Sequence, residues 1–202
     1  MIASEIIQAV FSFERLKHLK RTGWVMAGIP DSFRESIADH TTGTAVLSLL
    51  IAEALIREKR MIDLEKAVTM AVIHDIGESI ISDIPKKATE FDSKFLELKH
   101  EAEKKALEEL FGKENTSCTI SLFHEFLKQE TTESHVVKAA DRIDMYVHAL
   151  TIVRAGVPTE RVHSFLENID DFIEEYESYN IIAEIGIELK KLYQKYCIAN
   201  KS

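Results

Sequence analysis

A chain of 202 residues with 46% apolar residues has the size and composition of a globular protein with a substantial core. Its formal charge of −9 at pH 7 excludes the basic surface needed to grip a nucleic-acid polymer, although a metal or a local arginine pocket can still reverse the field around a small anion. Gly and Pro, at 7 and 3 residues, are too few for many tight turns, which excludes a sandwich of short strands and points to an all-α fold.

The first predicted helix lies in "SEIIQAVFSFERLKHLK", where Ile6, Ile7, Val10, Phe11, Phe13, Leu16 and Leu19 recur at helical spacing. Glu5 and Glu14 interrupt its apolar run, so it does not read as a leader segment. Gly23, Gly28 and Pro30 then predict an ordered loop around Trp24. A second helix is expected over residues 38–58. A third starts near Asp63, a plausible N-cap, and runs through "LEKAVTMAVIHDIGE" until Pro85 disfavours helix at Ile84. Further helices are expected in "FDSKFLELKHEAEKKALEELFG", "SCTISLFHEFLKQE" and "ESHVVKAADRIDMYVHALTIVRAG", followed by acidic amphipathic helices over roughly 159–177 and 180–198. The expectation is one domain over residues 1–202, a bundle of about eight helices. No apolar stretch is long enough to span a bilayer. Cys118 and Cys197 lie in no metal-ligand spacing and read as free thiols of a reducing compartment, so the expected setting is the cytoplasm, with no membrane partner.

Burying a charge is costly unless it is paired or metal-bound. The apolar pattern is broken in this costly way at His40, at His74-Asp75 and at Asp141. Any one of these, alone, is more often a hydrogen-bonded core residue. Together they offer imidazoles and carboxylates from separate helices, a donor set that suits a divalent first-row ion. Such an ion acidifies water for attack on an electrophile. Glu78, one turn beyond His74 and Asp75, can face the same cavity. Its bland alternative is a solvent-facing residue in the helix's last turn, where the macrodipole disfavours a negative charge. Asp83 reads equally well as a turn residue before Pro85, and Trp24 as a packing anchor.

The order of these residues resembles the H…HD…D pattern of the HD-domain superfamily of metal-dependent phosphohydrolases. The stretches "RTGWV", "RESIADH", "VIHDIGESIISDIP" and "KAADRIDM" resemble the HD-domain 5′-deoxynucleotidases, which hydrolyse deoxynucleoside 5′-monophosphates. The resemblance covers about 21–155, with the helices of 159–198 expected to pack on that core. It implies that His40, His74, Asp75 and Asp141 bind one divalent metal: Mn or Co, with Fe, Zn, Mg and Ni as further candidates. It implies that Glu78 orients or activates the attacking water and that Asp83 lies at the substrate. It places Trp24 on the sugar side of the pocket and an arginine at the phosphate, Arg21 with Arg34 as the alternative. The implied partner is a small nucleotide monophosphate. Other activities of the superfamily, a cyclic-nucleotide phosphodiesterase or a deoxynucleoside triphosphatase, are alternatives, as is a non-catalytic nucleotide-binding module.

Of the remaining histidines, His18, His135 and His163 read as surface or half-buried positions. His100 and His124 fall between the HD pair and Asp141, where some superfamily members hold a second metal. His148 is a candidate neighbour of the site. Asp144 is either a site neighbour or a partner for Arg142 or Lys138. Ile181, Ile182, Ile185, Ile187, Leu189, Leu192 and Tyr193 offer more apolar surface than one terminal helix needs, and the surplus suggests a homodimer face, as is common in the family resembled.

Overall fold

Several of the longer helices of this chain begin where a side chain takes up a free N–H group of the first turn. In a computed structural model that describes residues 2–112 and 116–199, the fold is all-α, with no strand among the described residues. The expected domain limits, residues 1 and 202, lie outside the described residues. Helix α1 (Ala3–Leu16) buries Leu16 but leaves Ile6, Ile7, Val10 and Phe11 exposed. After it the chain pairs with itself: Ile37 N donates to Leu19 O at 2.9 Å and Arg21 N to Glu35 O at 3.2 Å, around an isolated antiparallel bridge between Lys20 and Ser36. The intervening loop contains the short helix α2 (Thr22–Met26) and a 3-10 turn over Asp31–Phe33.

Helix α3 (Ile37–Arg57) opens on a reciprocal cap. Asp39 N donates to Ser36 Oγ at 3.1 Å and Ser36 N donates to Asp39 Oδ2 at 2.8 Å. Helix α4 (Leu64–Ile73) starts at the expected cap, with Lys66 N donating to Asp63 Oδ1 at 3.0 Å. It does not continue to Glu78 as the sequence suggests. It stops at Ile73, and His74–Gly77 form a tighter turn in which Glu78 N donates to Asp75 O at 3.0 Å. A Cβ at Gly77 would stand 3.2 Å from the backbone oxygen of Glu103, so the chain passes a neighbouring helix there too closely for any other residue to fit without displacement. A further short helix, α5 (Glu78–Ile81), follows and ends where Ser82 takes a φ of 67°.

The other runs expected from the sequence form as α7 (Ser93–Phe111), α8 (Thr116–Lys128), α9 (Thr132–Arg154) and α12 (Asn180–Ala199). An additional short α6 (Lys86–Phe91) follows Pro85, and the run expected over 159–177 divides into α10 (Thr159–Leu166) and α11 (Ile169–Glu175). Helix α9 is the axis of the main core: Val136, Ala139, Ala140, Ile143, Tyr146, Ala149 and Val153 are all buried. Helices α3, α10, α11 and α12 contribute Ile51, Leu55, Leu166, Phe172, Ile182 and Leu189 to the same cluster. The apolar surplus of α12 mostly turns inward: Ile181, Ile185 and Tyr193 pack against that cluster, and Ile187 and Leu192 stay exposed.

Candidate metal centre

Four side chains of the expected ligand set converge from three elements. The capped first turn of α3 presents His40, the turn after α4 presents His74 and Asp75, and the middle of α9 presents Asp141. His40 Nε2 lies 3.2 Å from Asp141 Oδ1 and 3.6 Å from Asp75 Oδ2, and His74 Nε2 lies 3.1 Å from Asp75 Oδ2. The imidazole rings are 5.5 Å apart, edge to face. His40 is 0% exposed and His74 4%. Both Nε2 atoms are buried and near these carboxylate oxygens, yet neither makes a hydrogen bond. A buried imidazole nitrogen without a partner is an anomaly that a cation removes. His74 Nδ1 is 2.7 Å from the Ala71 carbonyl oxygen, an acceptor that holds the proton on Nδ1 and leaves the Nε2 lone pair for a ligand. His40, His74 and Asp141 each bring a donor atom within 4.8 Å of the others, so the residues present fit a divalent ion bound by mixed N and O donors.

Glu35, His40 and Asp144 also bring donor atoms within 4.8 Å of one another, but a cation already stands among them. Arg21 Nη1 lies 2.8 Å from His40 Nδ1 and 3.5 Å from Glu35 Oε1, and Arg21 Nη2 lies 4.0 Å from Asp141 Oδ1. Lys138 Nζ occupies the other oxygen of Asp141 at 2.8 Å.

The protonation states reflect this crowding. Burial and the Arg21 charge push His40 down, but its contacts with Asp141 and Asp144 outweigh them and raise it to about 9. Burial pushes Asp75 up, but the His74 and His40 charges bring it well below the usual carboxylate range. Asp141 is likewise held low: Lys138 and His40 overcome its burial. Glu78 moves the opposite way. Burial raises its carboxyl, and the charges of Asp75 and Asp83 raise it further against Lys99 and Arg21. At 4% exposure it begins α5 instead of closing a longer helix, so it is neither solvent-facing nor in a last turn.

The remaining expected site residues divide. Arg21 reaches the cluster. Arg34 does not: its Nε donates to Ile29 O at 2.5 Å, and it borders a depression of about 440 Å³ beyond Glu35. Asp83 Oδ2 accepts from Thr22 N at 2.5 Å, starting α2 and fixing the residue next to Arg21. Trp24 lies in the core beside the cluster. It is 1% exposed, stacked on Phe165 with centroids 4.1 Å apart, and its Nε1 donates to Glu35 Oε1 at 2.8 Å. Its indole packs in the core and meets the site through Glu35, which also lies 3.5 Å from Arg21 Nη1. His148 Nε2 lies 2.9 Å from Phe33 O and its Nδ1 3.7 Å from Glu35 Oε2. Among the described residues no ligand grouping includes His100 or His124, and His124 is exposed.

Sequence reasoning missed Glu35, buried at 7%, although it stands in the quoted "RESIADH". It also missed Lys99, which lies 3.9 Å from Glu78 Oε1 and 3.2 Å from Glu103 Oε1. Asp144 proves to be a site neighbour: its Oδ2 is 2.8 Å from His40 Nδ1, while Arg142 pairs with Glu175 and Lys138 with Asp141.

Known proteins resemble this chain in sequence or in fold. The chain is 33% identical over 144 residues to the 5′-deoxynucleotidase HDDC2 of Dictyostelium discoideum, covering 67% of this chain and 70% of that protein. It is 29% identical over 163 residues to the 5′-deoxynucleotidase YGK1 of Saccharomyces cerevisiae, covering 77% and 70%. A conserved hypothetical protein from Pyrococcus furiosus superposes with a TM-score of 0.76 at 34% identity, over 92% of this chain and 99% of that one. An HD-domain phosphohydrolase from Listeria innocua shares the fold with a TM-score of 0.63 at 19% identity, over 96% and 99%. A family model described as the HD domain matches residues 13–178, which take in every residue of the cluster, and the chain belongs to the HD-domain family.

Proposed function

We propose that this protein is a metal-dependent phosphohydrolase that converts deoxynucleoside 5′-monophosphates to deoxynucleoside and phosphate. The observation that carries the reading is the pair of buried, unpartnered imidazole nitrogens of His40 and His74 set against Asp75 and Asp141. The nucleotidase names of the relatives support the substrate class. His40, His74, Asp75 and Asp141 would hold one divalent ion, Mn or Co first, with Fe, Zn, Mg and Ni as further candidates. When bound, the ion supplies Lewis acidity and charge neutralisation at the phosphate.

The chain's own residues divide the remaining work. Hydrolysis of a monoester depends on positioning and charge stabilisation. Arg21, held by Glu35, offers its guanidinium to the phosphate oxygens. Asp83 secures the Arg21–Thr22 segment and is proposed to meet the substrate on the same side. Glu78, a buried carboxylate beside Asp75, takes the proton of the water that attacks phosphorus. The bond from phosphorus to the 5′ oxygen breaks, that oxygen takes a proton from solvent as it leaves, and Glu78 returns its own to solvent.

The same proposal reads residues 1–202 as one domain, with a homodimer as the working assembly. No helix of the described residues is long and apolar enough to cross a membrane. The free thiols Cys118 and Cys197 support a reducing, cytoplasmic setting. A phosphate-release screen across deoxynucleoside and ribonucleoside mono-, tri- and cyclic phosphates, each with Mn²⁺, Co²⁺, Zn²⁺ and Mg²⁺, tests the activity. The expected result is release from deoxynucleoside 5′-monophosphates with Mn²⁺ or Co²⁺. Release only from triphosphates or cyclic nucleotides would replace the substrate class, and no release with any ion would leave a non-catalytic binding module. Sedimentation velocity tests the assembly, with a mass near twice 23.0 kDa expected.

A further inference from the structure

Gly43 sits inside α3, one turn after His40. Glycine is the poorest helix former after proline, so an interior glycine calls for a packing reason. Here the reason is visible. A Cβ at Gly43 would stand 1.9 Å from Asp144 Oδ1 and 2.7 Å from its Cγ. The carboxylate of Asp144, on α9, therefore rests on bare backbone, and only hydrogen fits beneath it. From that seat its Oδ2 reaches His40 Nδ1 at 2.8 Å. Asp144 is 15% exposed and His40 0%, so little water competes for the contact.

Arg21 Nη1 also lies 2.8 Å from the same Nδ1. A guanidinium only donates, and a carboxylate only accepts. One ring nitrogen cannot satisfy both. If Nδ1 accepts from Arg21, a neutral ring carries its proton on Nε2, which then points at Asp141 and cannot bind a cation. If Nδ1 carries the proton and donates to Asp144, the Nε2 lone pair faces Asp141 and Asp75, and Arg21 is released toward the substrate. Asp144 thus decides which nitrogen of His40 is a ligand.

We propose that Asp144, seated against Gly43, is the positioning residue that holds His40 with Nδ1 protonated and Nε2 free for a divalent cation. The inference rests on the metal-site reading above and adds to it two residues that touch neither substrate nor ion.

The test uses the full chain with Co²⁺ as probe, followed by its visible absorption, with thermal melts to confirm folding and phosphate release in parallel. D144A is expected to weaken Co²⁺ binding on the order of 10- to 100-fold, as removal of a carboxylate behind a ligating histidine does. G43A, which leaves Asp144 in place but displaces its carboxylate, is expected to weaken binding in the same range. Because both act through one contact, the double variant G43A/D144A should bind no worse than the weaker single variant. D144N keeps a carbonyl acceptor at that position and should recover most of the lost affinity. Wild-type Co²⁺ affinity in D144A would overturn the inference. So would losses that multiply in the double variant, or D144N as weak as D144A. If the wild type fails to bind Co²⁺, the metal reading and this inference both fall. If it binds Co²⁺ but releases no phosphate, only the proposed activity falls, and the Co²⁺ series still decides the role of Asp144.

Discussion

Two polar clusters lie along the seam between α4 and α9, one half-buried and one buried, and they are built differently. At the start of both helices, Asp63 N donates to Glu133 Oε1 at 2.8 Å. Lys66 Nζ reaches Glu125 Oε1 at 2.6 Å and Glu133 Oε2 at 3.5 Å, and Thr131 Oγ1 donates to Glu125 Oε1 at 2.5 Å. Each carboxylate there has its donors. Further along the same seam, His74, Asp75 and Asp141 face His40 with two imidazole nitrogens unmatched. A polar network that satisfies itself fixes a helix pair, whereas one that leaves lone pairs pointing inward stores a binding capacity. The contrast separates a structural cluster from a functional one without reference to any relative.

The sharpest way to break the contrast is to remove a ligand. His40→Ala or Asp75→Ala should lose bound metal and turnover together, with phosphate release falling to background and metal content after dialysis falling with it. The protein should also lose metal-dependent stabilisation, about 2.7 kcal/mol at a free ion concentration 100 times the dissociation constant. Lys66→Ala at the other cluster should retain its metal. If it lost metal as completely as His40→Ala, the two clusters would not be functionally distinct.

Glu78→Ala should separate binding from chemistry. It is expected to keep the ion and to lower kcat on the order of 10²- to 10⁴-fold, the range of a general acid or base. A wild-type kcat in this variant would remove Glu78 from the reaction.

Some of this was legible from the residues alone. His40, His74-Asp75 and Asp141 stand out because charge in an apolar helix is costly, and the cap at Asp63 announces its helix. What stayed hidden depends on contacts between residues far apart in the chain. Helix α4 stops at Ile73, and the turn after it brings Gly77 close against the Glu103 backbone, an approach that no local signal reports. Helix α2 forms within an apparent loop because its first N–H finds Asp83, 61 residues away. Trp24 is an ordinary packing residue until its Nε1 is seen to hold Glu35. Gly43 looks like a flaw in α3 until Asp144 is placed above it.

The arginines give a smaller, more selective effect. Arg21 stands against the cluster, while Arg34 is tied to the Ile29 carbonyl. Arg21→Ala should raise KM for the nucleotide by about 10- to 100-fold, matching the loss of a charged hydrogen bond. Arg34→Ala should leave KM within a small factor of wild type. Steady-state phosphate release for both variants decides the assignment, and the reverse order would move the phosphate contact to Arg34.

The smallest effect is expected at the satisfied cluster, and it is one of stability alone. Burial pushes the Glu133 carboxyl up, but the Asp63 N–H and the Lys66 charge outweigh it and bring it below its ordinary 4.5. A carboxylate depressed in the folded state stabilises the protein above the unfolded value, and that contribution disappears as pH falls through the folded value. Glu133→Gln should therefore cost about 1 kcal/mol at pH 7, the worth of an ordinary hydrogen-bonded pair. The deficit should shrink as pH drops below 4.5, because the wild type loses there what the variant never had. Urea midpoints at pH 7 and pH 4 measure both quantities. Metal affinity and kcat at pH 7 should match wild type, since no unmatched donor of the His40–His74 cluster depends on Glu133. A fall in metal affinity with stability unchanged would show that the two ends of the seam are coupled, and the distinction between them would have to be redrawn.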